Sequence, residues 1–192
     1  MATRPDTRTR ILAAARAEFA ARGFAGARVK TIAARARANK RMLYYYFRSK
    51  RRLFDAVLAA AFRERGGGLL MTGDPVSVLV EWYRRVSQAP DLCRLLQWES
   101  LEQLRAAALP EARSMAVLLR TAVRNAQGRN GISKEFEPEY AALALVAVTV
   151  FPVAFPRLAE LLTGVAPETP FFGQKHAGLL RTLLRDEPLV RG

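Results

Sequence analysis

Between positions 39 and 46 the chain reads Asn-Lys-Arg-Met-Leu-Tyr-Tyr-Tyr. Two cations and two phenols in this stretch, Lys40, Arg41, Tyr44 and Tyr45, carry hydrogen-bond donors of different reach and rings with apolar edges. On a helix advancing about 100° per residue, Leu43 placed at 0° puts Lys40, Arg41, Tyr44 and Tyr45 near 60°, 160°, 100° and 200°. All four then project to one side, away from Leu43. A face of this kind can donate to base edges and phosphates and touch thymine methyl groups. The same residues could merely be solvated, so the decision rests on what surrounds them.

The surroundings are cationic. Residues 1–65 hold 17 Lys+Arg against 4 Asp+Glu, a net of +13, and the remaining residues supply only +1 of the total of +14. A chain that used arginine heavily for compositional reasons alone would spread it along its length. Segregation into one third of the chain points to a polyanionic partner for that third.

Helices are predicted throughout. Ala, Leu and Arg dominate, period-2 alternation is nowhere sustained, and Gly, Pro and Asn punctuate. The first helix spans about 7–22, with Ile11, Leu12, Ala15 and Phe19 facing inward and Gly23 as its stop. The second spans about 29–35 and buries Val29, Ile32, Ala33 and Ala36. The third opens on Asn39, a good N-cap, and ends near Tyr46. The fourth opens on Ser49 and runs to Gly66. Two short helices joined by a tight turn can set the second of them into a major groove. Lys50, Arg51 and Arg52 crowd the first turn of the fourth helix, an unfavourable place for cations unless a phosphate lies beside them. Arg4, Arg8 and Arg10 form an N-terminal arm that either follows the phosphates or is simply solvated.

Several positions together resemble the TetR/AcrR family of bacterial regulators: Ile11-Leu12-x-Ala14-Ala15, Phe19, Gly23-Phe24, Val29, Ile32-Ala33 and Leu43-Tyr44-Tyr45-Tyr46-Phe47-x-Ser49-Lys50-x-x-Leu53. The resemblance implies an all-α chain. Its N-terminal three-helix helix-turn-helix domain, residues 1–47, is joined by a fourth helix to a helical bundle, residues 48–192, that dimerises and binds a ligand. It also implies that Lys30, Lys40, Arg41, Tyr44 and Tyr45 contact bases, and that Tyr46 and Lys50 anchor phosphates. Arg51 and Arg8 join the phosphate set by their position. The sequence departs from the family pattern in the turn, where Arg37-Ala38-Asn39 stands in place of a glycine, a small β-branched residue and a hydroxyl residue. Arg28 occupies the place of a capping threonine. A left-handed backbone at residue 37 would strain an arginine by roughly 1–2 kcal/mol.

Beyond residue 66, helices are expected at about 75–88, 91–107, 111–127, 139–162 and 170–185, separated by Ala89-Pro90, Leu109-Pro110, 128–138 and 164–170. The resemblance implies that the last two pair with their copies in a second chain, with Ala144, Val148, Phe151, Phe155, Leu158, Phe172, Leu179 and Leu183 as candidates. The alternative is that these residues form an intrachain core. Trp82, Tyr83, Leu96, Trp98, Leu101, Leu104, Leu118 and Phe151 are candidates for the apolar wall of a ligand pocket. Gln97, Glu99 and Arg120 are candidates for its polar contacts. Pro152 and Pro156 should bend the long helix that contains them. His176, the one histidine, reads as a surface or interface group, and Cys93, the one cysteine, as a small buried residue.

No phosphate-binding loop, dinucleotide fingerprint, nucleophile elbow or metal-ligand spacing appears, so neither an enzyme nor a cofactor or metal is expected. No secretory leader is legible and the longest apolar run is too short to span a bilayer, so a soluble cytoplasmic protein is expected. The reading is a sequence-specific, homodimeric regulator, in the first instance a repressor. It would bind a palindromic double-stranded operator and be released by a small, mainly apolar molecule. Two rivals stay open: a DNA-binding regulator without a small ligand, and an adaptor for polyanions or anionic membranes.

Overall fold

The computed structural model describes residues 6–66, 75–104, 110–128 and 132–183, and every element among them is helical. In chain order these are α1 (Thr7–Gly26), α2 (Val29–Arg35), α3 (Lys40–Phe47), α4 (Lys50–Gly66), α5 (Pro75–Gln88), α6 (Asp91–Leu101), α7 (Pro110–Gly128), α8 (Pro138–Ala154), α9 (Pro156–Thr163) and α10 (Pro170–Leu183). Arg4 and the side chain of Leu183 lie outside the described residues.

Contacts divide the chain into two units. The first comprises residues to Glu64 with Asp91–Ala112; the second comprises Arg65–Pro90 with the residues from Arg113 onward. The expected boundary at residue 47 therefore falls elsewhere. Leu53, Phe54, Val57 and Leu58 of α4, with Leu92 and Leu95 of α6, are buried in the same cluster as Ile11, Phe19, Ile32 and Leu43. Phe54 meets the rings of Phe19 and Phe24 edge-on, at 5.1 and 5.7 Å between centroids. Three short helices bury too little on their own. Each Leu or Phe closed over by α4 and α6 contributes about 1.5–3 kcal/mol, so these helices belong to the head's core.

Caps set the helix limits. Asp6 accepts from the Thr9 N–H at the start of α1, and that hydrogen bond holds its carboxyl below the usual carboxylate range. Near the other end, Gly23 leaves helical geometry at φ 70° and ψ −178°, at the predicted stop, before a further turn closes at Gly26. The Ser49 hydroxyl accepts from the Arg52 N–H and caps α4.

The second unit has its core at Leu79, Tyr83, Val123, Ala142, Leu145, Ala159, Phe172 and Leu180. The helix expected over 139–162 is two helices bent by 97°. Phe155, at φ −131° and ψ 61°, separates them, and Pro156 opens α9. A residue before proline is driven out of the α region, so Pro156 breaks the helix. Pro152 is accommodated inside α8. Among the described residues no single helix is long and apolar enough to cross a membrane.

Candidate nucleic-acid interface

The turn between α2 and α3 is a helix stop built from main-chain bonds. The Arg37 N–H reaches the Ala34 carbonyl at 3.0 Å, and the Ala38 N–H reaches that of Ala33 at 2.9 Å. This pairing requires a left-handed residue after the C-cap. Arg37 supplies it, at φ 50°. Asn39 then caps α3, its side-chain oxygen accepting from the Met42 N–H at 2.8 Å.

Leu43 and Phe47 lock α3 into the first unit's core, at 0% and 4% exposure. The opposite side is open: Lys40 and Arg41 are exposed, and Tyr44, Tyr45 and Tyr46 are 45%, 72% and 38% exposed. The Tyr45 and Tyr46 rings meet edge-on at 5.2 Å. Lys30, in the first turn of α2, is exposed as well. Arg8 and Arg10 belong to the first turn of α1 rather than to an extended arm, and exposed Arg8 lies with its guanidinium 5.5 Å from the centre of the Phe47 ring, beside the end of α3. Lys30, Lys40, Arg41, Tyr44, Tyr45, Tyr46 and Arg8 are therefore all available to a partner from outside.

Two expected phosphate anchors are engaged internally. Lys50 is half-buried, with Nζ 3.2 Å from the Ala25 carbonyl and 4.9 Å from the Phe24 ring centre. Arg51 bonds to Asp55 at 3.0 Å and to the Leu104 carbonyl. Its guanidinium ties α4 to the segment that follows α6 within the first unit.

Sequence reasoning missed Glu18, which is 1% exposed. Arg28 offers no side-chain cap to α2. Instead Glu18 accepts from the Arg28 N–H at 3.4 Å and pairs with Arg35 at 3.1 Å and Arg22 at 3.5 Å. A buried carboxylate is tolerated when paired and hydrogen-bonded, and a negative group favours a helix N-terminus. The signal was present in the sequence: Glu18 falls on the inward face of α1, seven residues after Ile11.

The eight expected pocket residues are divided between the units. Leu96 and Leu104 pack against the first unit's core, and Leu101 is 74% exposed. Trp98 closes over Gly23 and donates from Nε1 to the Ala20 carbonyl at 3.3 Å. In the second unit Trp82 and Phe151 pack against a core that includes Tyr83, whereas Leu118 is 43% exposed. An apolar helical stripe reads the same whether it faces a cavity or a core, which is why the sequence gathered them into one wall. Of the expected polar contacts, Arg120 is exposed and Glu99 is buried in the first unit. A cleft of about 420 Å³ does open in the first unit, between Thr9, Leu12 and Arg16 of α1, Val57 and Ala60 of α4, and Asp91.

The interface candidates divide similarly. Ala144, Phe155, Leu158 and Leu179 are exposed, and Val148 and Phe151 are half-buried. Phe172 is 6% exposed and stacks on His176, so it belongs to the intrachain core. His176 is 7% exposed rather than a surface group. Cys93 is buried.

Residues 11–57 match the family described as bacterial regulatory proteins, tetR family. The chain is 35% identical over 161 residues to the HTH-type transcriptional repressor SCO4008 of Streptomyces coelicolor, covering 82% of this chain and 84% of that one. It is 39% identical over 106 residues, half of each chain, to the HTH-type transcriptional repressor NicS of Pseudomonas putida. The transcriptional regulator SCO4942 of Streptomyces coelicolor superposes with a TM-score of 0.76 at 25% identity, over 93% of this chain and 96% of that structure. A helix-turn-helix head with an outward basic and phenolic face defines a DNA-binding transcriptional regulator. The chain belongs to the TetR family, whose members bind DNA, form dimers and often respond to small-molecule effectors.

Proposed function

We propose that the protein is a homodimeric repressor. Its two α3 helices enter successive major grooves of a palindromic operator, and a small, mainly apolar effector releases it. The observation that carries this reading is the α3 face. Leu43 and Phe47 are buried while Lys40, Arg41, Tyr44 and Tyr45 point outward on a rigid, capped helix. Arg41 or Lys40 can pair with guanine O6 and N7, and a tyrosine ring can rest on a thymine methyl group. Lys30 adds a donor from α2. Arg8 and Tyr46 serve the phosphates, with Lys50 contributing only if its amino group leaves the Ala25 carbonyl.

Dimerisation is supported by exposed apolar side chains on α8, α9 and α10. Tyr140 and Leu143 of α8, Leu161 and Leu162 of α9, and Phe171 of α10 are between 55% and 73% exposed. With Ala144, Phe155, Leu158 and Leu179 they form the candidate contact, since several large apolar side chains exposed on neighbouring helices are the usual material of an interaction site. A second copy also supplies the second head, one DNA turn or about 34–36 Å away. Effector release requires unequal affinity for two arrangements of the heads. The chain crosses between its units at 64–65, 90–91 and 112–113, so a change in the second unit's core has three covalent routes to the first.

Selection of bound sequences from a random duplex pool tests the reading. The expected result is an enriched palindrome with half-sites one helical turn apart. Enrichment of no sequence, with equal retention on anionic vesicles, would replace the regulator by a polyanion adaptor.

A further inference from the structure

Two polar atoms in the second unit are buried without a hydrogen-bond partner among the described residues: Nε1 of Trp82, on α5, and Nε2 of His176, on α10. Both side chains meet one core. Trp82 packs against the cluster holding Leu79, Tyr83 and Phe172. The His176 ring lies 4.5 Å from that of Tyr83 and stacks on that of Phe172 at 5.7 Å.

The other edge of the imidazole is accounted for. Pro152 sits inside α8 and has no N–H for the carbonyl four residues before it. That carbonyl belongs to Val148, and the His176 side chain hydrogen-bonds to it. With Nε2 unpartnered, Nδ1 is the donating nitrogen. Burial pushes the histidine pKa below its ordinary value, so the ring is neutral and Nε2 is left as an acceptor. This core therefore holds one unmet donor and one unmet acceptor. Native cores satisfy nearly all such groups, so a donor and an acceptor left without partners in one core call for a functional account.

We propose that Trp82 and His176 form the polar end of the effector site, and that the effector is a neutral molecule with a hydroxyl, or an equivalent donor-acceptor group, on an apolar frame. The proposal rests on the effector-released reading above and narrows it to a chemical class. The hydroxyl oxygen accepts from the indole N–H, and its proton goes to the imidazole Nε2. The frame is apolar because the core in which the two side chains pack is built of Leu79, Tyr83, Phe151 and Phe172. A carboxylate or ammonium is disfavoured. The buried polar residues described in this unit are Gln127, Thr149 and His176, so no buried counter-charge offsets its desolvation.

The test uses the full-length protein and three probes of one shape: 1-naphthol, naphthalene and 1-naphthoate, with dissociation constants from calorimetry. Naphthol is expected to bind at least about tenfold more tightly than either of the others, the scale of one good hydrogen bond in a dry site. Trp82→Phe and His176→Phe should each remove that advantage, bringing naphthol to the affinity of naphthalene measured on the same variant. Equal binding of naphthol and naphthalene to the unmodified protein, or no binding of naphthol, overturns the proposal, whether or not the variants fold. Operator release is read separately. Naphthol that binds through both residues yet leaves the operator complex intact upholds this site and refutes release by an effector.

Discussion

Replacing Arg37 by glycine should stabilise the protein, because the α2–α3 turn holds this arginine at φ 50°. Left-handed backbone costs an L-residue with a side chain roughly 1–2 kcal/mol. Glycine removes that strain but brings a floppier unfolded chain, a loss of about 0.5–1 kcal/mol. The difference is a gain of about 0.5–1 kcal/mol, or a rise in Tm of about 1–4 °C for a cooperative unit of 150–250 residues. Arg37→Ala is the control. It removes the same charge and the same exposed side chain but keeps the strain, so the gap between the two variants isolates the backbone effect. Urea titration and thermal melts followed by circular dichroism give both numbers. Any loss of DNA affinity from the missing charge should be equal in the two variants. The reasoning fails if Arg37→Gly melts at or below Arg37→Ala.

The opposite sign is expected at Gly23. Its φ is 70°, and a Cβ there would come within 3 Å of the Trp98 ring. Gly23→Ala should cost about 2–4 kcal/mol, from strain plus overpacking, seen as a lower urea midpoint. Arg8→Ala should lower the salt slope of DNA binding by about 1, as expected of an exposed cation that serves a phosphate. Arg51→Ala should instead leave the slope unchanged and lower the melting temperature, because its guanidinium is bonded within the first unit. His176 predicts a pH dependence. Its folded pKa lies below the ordinary value of 6.5. The unfolded chain therefore takes up a proton first, and stability present above pH 6.5 declines as pH falls through the folded value. Melting curves between pH 8 and 5 should show this decline, and His176→Phe should flatten it.

The head was legible because its signals are local. Helical periodicity at Ile11, Ala15 and Phe19, the Gly23 stop and the Asn39 cap each act within one turn of helix, and all stand where they were expected. The strain at Arg37 could be anticipated because the turn needs a left-handed residue whatever the side chain. Properties set by distant partners were not legible. Arg51 read as a phosphate anchor because its partner is a carbonyl more than fifty residues away. Glu18 was overlooked because its role depends on the backbone of Arg28 and the side chain of Arg35 in the next helix. In the body, apolar content is the same for pocket, interface and core. Phe172 and Leu179, both expected at an interface, differ as 6% and 48% exposure only because α10 turns one of them inward. His176 looked like a surface residue because Pro152, which strips the Val148 carbonyl of its usual donor, lies more than twenty positions before it.

The central claim is that α3 reads bases with the face it leaves open. It is tested by the affinities of the unmodified protein, Arg41→Ala and Tyr45→Ala for the selected operator and for a scrambled duplex of equal length, all at one salt concentration. A base-reading face predicts that each substitution costs about 1–3 kcal/mol, a factor of roughly 5 to 150, on the operator and far less on the scrambled duplex. Equal losses on both duplexes would show that these side chains hold only the phosphate backbone.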